Sequence, residues 1–574
     1  MSVGSRNHRC PPGSWRRAAT GATAVAAAMA LSACGGGSRG PAAPTGHRGG
    51  TQILLAPSDP GSADPAINYG TLWTYLIDTN DGLVTFKKVG GAGATEIVPD
   101  LATAIPAPAN GGRTYLFHVR RGIKYSDGTA LKPSDFINVL ERMFKVNGPT
   151  TNFYLSIVGA AQCLKHASTC DLSKGIVAND SAGTVTFHLS KPDPEFLDKL
   201  ALPFAFAVPP SAPNKDVGTH PLPGTGPYKF VEDTPNREIR LARNPYFKPW
   251  SAVAQPPGYP DSLVLKLDLP LEAEVTQVEN GQADGIINVN ELPPDRLNEI
   301  STRYGSQTHV NQATAIFYMA LNTHVAPFNN VKARQAINYA TDRNALVKVA
   351  GGPELAVPTC QILPPGIPGY QPYCPYTASP ASGGQGPWTA PDMAKARQLV
   401  ALSHTQGTKV TIVDANAPQA VSFGLYFVGL LNKLGYQASQ KLLDPAISDA
   451  FVRNSRNKVQ MTWQPDYQDY PAASDFLNVL DSCGSFHLNS DANANVAEFC
   501  NAKIQAAMDR ALAMQVTDPS AANGLWAQVD RQVTDQAPEV AMLNPKTATF
   551  VSKRIGNFQY SSQWFWLVDQ SWVR

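Results

Sequence analysis

The sequence predicts an α/β fold, with parallel sheets covered by helices, on three observations. Short runs rich in β-branched and aromatic residues alternate with segments whose apolar residues recur at helical spacing. The 574 residues, at about 150 per domain, make roughly three or four units or fewer large ones, enough to bury several cores without a metal or disulfide staples. The 48 prolines and 45 glycines are dispersed, and no repeat of about 20–50 residues occurs, as in a large, loop-rich globule.

Taken in order, TYLFHV at 114–119 alternates as a strand, and Ser126-Asp127-Gly128 makes a turn. Phe136, Val139, Leu140 and Met143 then trace one apolar helical face, opened by Pro133 or Ser134. Asn330 caps a helix predicted to run to about Val349, and residues 393–402 form another. KVTIVD at 409–414 is a strand, 421–434 a helix stopped by Gly435, and 436–443 the next strand. Helical spacing returns at 504–514 and 525–533.

Charge is nearly balanced, with 47 Lys+Arg against 45 Asp+Glu. Residues 1–33 hold four arginines and no acid, which leaves 43 basic against 45 acidic groups in the rest. A body without net positive charge is no general binder of nucleic acid, whose affinity rests on neutralising phosphates. The basic residues 6–17, the Ala-rich stretch 18–31 and Leu31-Ser32-Ala33-Cys34 describe a secretory signal, too short in its apolar run for the about 20 residues that span a bilayer. Leu-Ser-Ala-Cys-Gly resembles the bacterial lipobox, which implies cleavage before Cys34 and acylation of its thiol. Arg16-Arg17 leaves the export route, Sec or Tat, open. Residues 34–49 are the lipidated cysteine and a flexible tether, so the expected mature protein is a soluble body on the outer face of the cell membrane.

Export makes the cysteines readable. Cys10 leaves with the signal and Cys34 is lipidated, so six remain: Cys163, Cys170, Cys360, Cys374, Cys483 and Cys500. Six allow fifteen pairings, and clustering favours the neighbours 163–170, 360–374 and 483–500. A loop of about 15 residues closed in this way contributes about 3 kcal/mol in the chain-entropy model. No Cys/His spacing suits zinc, and no metal or cofactor is expected. Nor does a catalyst assemble. G-x-S-x-G at 36–40 lies in the tether, S-x-x-K at 455–458 lacks its partner motifs, and no H-E-x-x-H occurs. The expectation from these motifs is that the protein is not an enzyme.

Seven segments follow one another through nearly all of residues 50–574: TYLFHVRRGIKYSDGTALKPSDFINVLERM (114–143), GTGPYKF (224–230), RNPY (243–246), GQAD (281–284), NTHVAPFNNVKARQAINYATDRNAL (322–346), WQPDYQDYPAASDFL (463–477) and residues 538–543. In that order they resemble the family 5 extracellular solute-binding proteins of ABC importers, the oligopeptide-, dipeptide- and nickel-binding group. The resemblance implies a two-lobed, periplasmic-binding-protein-like (type II) fold, with mixed sheets covered by helices and an extra domain inserted early. The expected boundaries are 50–65 with 188–314 and 541–574 for lobe I, 66–187 for the inserted domain and 315–540 for lobe II. Gly224 and Gly226 are expected to serve a positive φ or a close approach, Pro227 a turn, and Arg334 and Arg343 to brace a helix by pairing with carboxylates.

The resemblance also implies a ligand enclosed between closing lobes, an extended peptide held through its backbone. In the family's W-x-x-D motif the aspartate meets the peptide's α-ammonium, and here that is Asp466 of Trp463-Gln464-Pro465-Asp466. A buried ammonium must be paired, and a carboxylate supplies charge-assisted bonds. Trp463, Gln464 and Tyr467 are expected to line the same pocket, and Asn68, Tyr69, Gly70 and Thr71 to form a second contacting segment. Two departures stand out. Gln464 and about Ala315 occupy the places of a family disulfide, and Gln460 stands where an arginine meets the peptide carboxylate. The expected function is lipid-anchored capture of oligopeptides for an ABC permease with its ATPase, by a monomer that touches the membrane only through its anchor. The alternatives are a non-peptide solute (metabolite, oligosaccharide or metal chelate), a sensor role, and an exported enzyme on the same scaffold.

Overall fold

The computed structural model describes residues 46–574 apart from Thr71, 288–293 and 491–492. The predicted signal and Cys34 lie outside the described residues. One large mixed sheet organises the rest. In chain order its twelve strands are β1 (Thr51–Ala56), β2 (Tyr228–Thr234), β3 (Glu238–Arg243), β4 (Ser262–Leu267), β5 (Gly285–Ile286), β6 (Thr308–Gln312), β7 (Ala315–Leu321), β8 (Ala356–Pro358), β9 (Lys409–Ala415), β10 (Gln437–Leu443), β11 (Met461–Tyr467) and β12 (Glu539–Val551). They lie in the order β10-β9-β11-β7-β12-β5-β1-β4-β3-β2, with β6 and β8 also pairing with β12. β1 is parallel to β4 and β5, and β9 to β10 and β11. The other pairs are antiparallel, because β2–β3 form a hairpin and β12 runs back through both halves. The sheet is therefore mixed, as the resemblance implied, and not parallel, as strand–helix alternation alone suggested.

β12 joins two halves. Its first residues pair with β7 and β8, its last with β5 and β6. The chain also crosses at 313–314, where Ala313 N–H and the Gln312 side-chain amide both donate to the Pro545 carbonyl, at 3.3 and 3.1 Å. The two crossings are thus laced side by side. β12 stays paired with β7 as far as Leu543 and with β8 as far as Pro545, and pairs with β6 from Lys546, so its own crossing falls at Pro545-Lys546.

β7, AIFYMAL, is buried at every position. Phe317, Met319 and Leu321 enter a core with Ile337, Phe423 and Phe427, whereas Ile316, Tyr318 and Ala320 enter another with Phe476, Leu477 and Trp526. A strand covered by helices on both faces needs this near-continuous apolar run. In the other half, residues 66–187 share one core with the first strands, for Leu76, Phe117, Phe136 and Phe187 pack with Leu54, Leu265 and Trp564.

Local differences from the sequence reading have physical causes. Asn330 caps its helix by accepting from Lys332 N–H, but that helix ends at Ala340. Asp342 accepts from Ala345 N–H and starts a separate helix, Arg343–Val349. Gly224 and Gly226 have no positive φ and serve close approach: a Cβ would lie 2.0 Å from Thr79 O and 2.5 Å from Asp78 O, respectively. The expected carboxylate partners of Arg334 and Arg343 are replaced by backbone carbonyls. Arg334 donates to Phe328, Gln536 and Ala537 O, and the fully buried Arg343 to Thr359, Ala541 and Asn338 O. Both guanidiniums tie a helix to the chain entering β12. Disulfides join Cys163–Cys170, Cys360–Cys374 and Cys483–Cys500.

Candidate functional site

Trp463-Gln464-Pro465-Asp466 lies on β11, whose residues alternate between its faces. Trp463 sits 5.6 Å from Phe423 and 5.4 Å from Phe317, and Tyr467 6.2 Å from Phe317, so these aromatics share one face. Gln464 and Asp466 lie on the other, paired in register with Tyr318 and Ile316. The structure thus separates Asp466 from Trp463 and Tyr467 across the strand. What all of them flank is the strand's outer edge.

That edge is open along most of its length. β9 pairs with β11 only at Ile412–Met461. Trp463 N–H turns away from β7 and donates to Asp414 Oδ1 at 2.9 Å, while Gln440 donates to Asp414 Oδ2 at 2.9 Å. Burial holds the Asp414 carboxyl up at about 6. By alternation, the backbone groups of Pro465 and Tyr467 face outward as well, and the missing N–H of Pro465 costs no ladder bond there. The Trp463 indole N–H is buried without a partner among the described residues.

Asp466 is half-buried, and its carboxylate makes no hydrogen bond or ion pair among the described residues. Burial pushes its pKa well above the usual range, the charge of Asp469 adds to this, and Arg453 opposes it. Next along the chain, Asp469 accepts from the Tyr69 hydroxyl, and its own N–H donates to Asp475 Oδ2 at 2.7 Å. Burial raises the Asp469 carboxyl to about 7. Tyr69 comes from the opposite half. It is 51% exposed, yet its ring packs on Trp73 and Phe204 and its phenol is pushed up by burial and by Asp469, as in a narrow cleft. Nearby, Gln563 donates to Asp469 O at 2.7 Å, and Glu195 accepts from the Ser474 and Tyr470 hydroxyls. These contacts draw the two halves together around the end of β11.

The second predicted segment divides. Asn68 is buried, donating to Pro60 and Ser62 O and accepting from Leu72 N–H, so it holds its own loop. Tyr69 reaches the cleft, Gly70 has open space around its Cα, and Thr71 lies outside the described residues. Gln464 rests its amide on Thr462 Oγ1 at 3.3 Å. Gln460, in place of the family's arginine, accepts from Thr411 N–H and donates to Ala326 and Lys409 O, bracing the start of β9. Sequence reasoning missed Asp469, Asp475 and Arg453. The density of acids in the 463–477 segment was visible, but not which of them face the cleft.

The model for bacterial extracellular solute-binding proteins, family 5 (middle), matches residues 96–487. The chain belongs to this family. It is 25% identical over 512 residues to the heme-binding protein A of Haemophilus influenzae, covering 83% of this chain and 84% of that one. Its fold is similar to clavulanic acid biosynthesis oligopeptide binding protein 2, with TM-score 0.81, 24% identity and coverage of 92% and 96%. It is also similar to the DppA of Helicobacter pylori in complex with peptide STSA, with TM-score 0.72, 20% identity and coverage of 92% and 98%. At the level of the family this is a two-lobed binding protein and not an enzyme.

For a family 5 solute-binding protein, contact between lobes sets how readily the cleft opens. Tyr69→Phe removes a bond to a carboxylate worth about 1.5–3 kcal/mol. The unliganded variant is therefore expected to open, with a larger radius of gyration by X-ray scattering and faster amide exchange at 468–472. Unchanged values for both would show that the Tyr69–Asp469 bond does not hold the lobes together.

Proposed function

We propose that this protein is the solute-capturing component of an ABC importer, tethered to the outer face of the membrane through lipidated Cys34, and that it takes oligopeptides as a monomer. One observation carries the reading: among the described residues, Asp466 presents a half-buried carboxylate without a partner beside an uncovered strand edge. The edge supplies backbone hydrogen bonds to any extended peptide, and the carboxylate requires a cation, which a peptide's α-ammonium provides. Similarity to a peptide-bound DppA and to an oligopeptide binding protein supports it. A non-peptide amine is the second reading, favoured by the commitment of Gln460 to bracing β9.

Native mass spectrometry of the full-length protein in detergent, with mixed di- to hexapeptides, tests both readings. Retention of peptides, lost on acetylating their amines, is the expected result. No retention by folded protein would overturn the peptide reading, and the search would pass to amine-bearing metabolites.

A further inference from the structure

The open edge of β11 is short of donors. A strand bonds its neighbour through alternate residues, each giving an N–H and accepting at its C=O, so a full partner must supply both kinds of group. Past Met461, the residues of β11 turned to the open edge are Trp463, Pro465 and Tyr467. Proline has no N–H. The Trp463 N–H is already taken by Asp414 Oδ1, at 2.9 Å. One N–H, that of Tyr467, is therefore set against three carbonyls. The Thr462 hydroxyl reaches the Trp463 carbonyl at 3.5 Å, but a carbonyl oxygen has a second lone pair to offer. Among the described residues, nothing outside the sheet bonds to the Pro465 carbonyl or to the Tyr467 N–H and carbonyl.

The loss at Trp463 is built into the fold. Asp414 is 2% exposed and stands two residues beyond Ile412, the last point at which β9 pairs with β11. Its second oxygen accepts from Gln440 Nε2 at 2.9 Å, and the same nitrogen donates to Ala420 O at 3.3 Å. The two side chains lie against Gly424 of the helix Pro418–Lys433, where a Cβ would come 2.5 Å from Asp414 Oδ2 and 1.9 Å from Gln440 Nε2. Any side chain at 424 would displace the pair. Held in this way, the Asp414 carboxylate does at Trp463 what the carbonyl of a bound strand would do at an unoccupied edge.

We infer that Asp414 is a specificity-determining residue: by holding the Trp463 N–H it turns the edge toward ligands that donate hydrogen bonds and away from those that must accept them. This deepens the reading that a ligand lies along the edge with its amine on Asp466, and it rests on that reading. The class selected is a short amine with further N–H groups on the side facing β11, a short peptide included. A long extended peptide fits less well. Its carbonyls opposite Trp463 and Pro465 would leave water and find no donor, and an unmade bond in a desolvated cleft weakens binding. A short peptide meets the edge at one or two positions and avoids most of that loss.

Calorimetric titration of the full-length protein in detergent decides it, with Ala-Ala-Ala and single-atom analogues at each of its amides. An ester oxygen in place of the N–H removes a donor. A thiocarbonyl in place of the C=O weakens an acceptor and keeps the donor. Wild type is expected to lose at least about fivefold with an ester at one position or both, and to hold the thioamides within about twofold of the parent. Asp414→Ala frees the Trp463 N–H, so Ala-Ala-Ala should tighten by about threefold or more, and one thioamide should fall behind it by as much. Asp414→Asn keeps an oxygen for that N–H and should restore the wild-type ranking. Esters that wild type binds no worse than the thioamides would overturn the inference whether or not the variants fold. So would a folded Asp414→Ala protein that ranks the analogues as wild type does. If Ala-Ala-Ala binds in either case, only the inference has failed; if it does not bind at all, the peptide reading falls and the inference with it.

Discussion

Asp466→Asn is expected to weaken binding of a free-amine peptide by about 2–5 kcal/mol, or roughly thirty- to several-thousand-fold, because it uncouples a desolvated charge pair while conserving shape. Titration of both proteins with a peptide and its N-acetylated form measures this, and the two losses should coincide. The effect carries a pH signature. In the unliganded protein burial holds the Asp466 carboxyl well above its ordinary range, with Asp469 adding to the rise. A bound ammonium favours the carboxylate and lowers that value, so binding below the free-protein pKa must release a proton. Affinity should therefore be fully present above the raised pKa and fall as pH drops below it, by up to about tenfold per unit. Asp466→Asn should flatten that fall. Equal affinity in the variant, or a loss that acetylation does not reproduce, would remove Asp466 from the amine site.

What the sequence made legible was local. The strand at 114–118, the strand Lys409–Ala415 and the helix Asp135–Lys145 announce themselves by spacing, because their buried residues repeat with the period of the element. The break at Thr341-Asp342 did not, since apolar residues continue on both sides of it, from Ile337 to Leu346, and the bond that marks it runs from Asp342 N–H to the Tyr426 hydroxyl, 84 residues away. Arg334 and Arg343 carry the same lesson. Their charges suggested carboxylates, but the partners are carbonyls, among them those of Gln536, Ala537 and Ala541 about 200 residues later. At the candidate site, the W-x-x-D spacing located Asp466, and Pro465 inside a strand was a local sign of an edge. That the edge is open follows only from β9 pairing with β11 at Met461 alone, and the Tyr69–Asp469 contact spans 400 residues. Spacing reports which face a residue takes; it is silent on what stands opposite.

The same burial that readies the cleft should make the protein less stable as pH rises from about 4 to about 7.5, the opposite of ordinary acid denaturation. Asp469, Asp481 and Asp530 are all buried, and burial pushes each up to about 7 from an ordinary 3.8. Glu539 is raised as well, first by burial and then by the charge of Asp481. An acid whose folded pKa exceeds its unfolded value binds more protons in the native state between the two, so stability is lost as pH climbs through that window. For Asp530, which is 1% exposed, a rise of this size corresponds to about 4 kcal/mol at about 1.4 kcal/mol per unit. His309, lowered by burial, acts in the opposite sense, but it is one group against several. Urea midpoints at pH 5 and pH 7.5 are expected to be higher at the lower value. Asp530→Asn keeps an oxygen for the N–H groups of Ile362 and Leu363 while removing the charge, and should recover part of the difference. Stability that stays flat or rises over this interval would mean that these carboxylates are solvated in the native protein. Asp466 and Asp469 would then stand ionised in an open cleft before any ligand arrives, and closure, not the resting fold, would bear the cost of burying them.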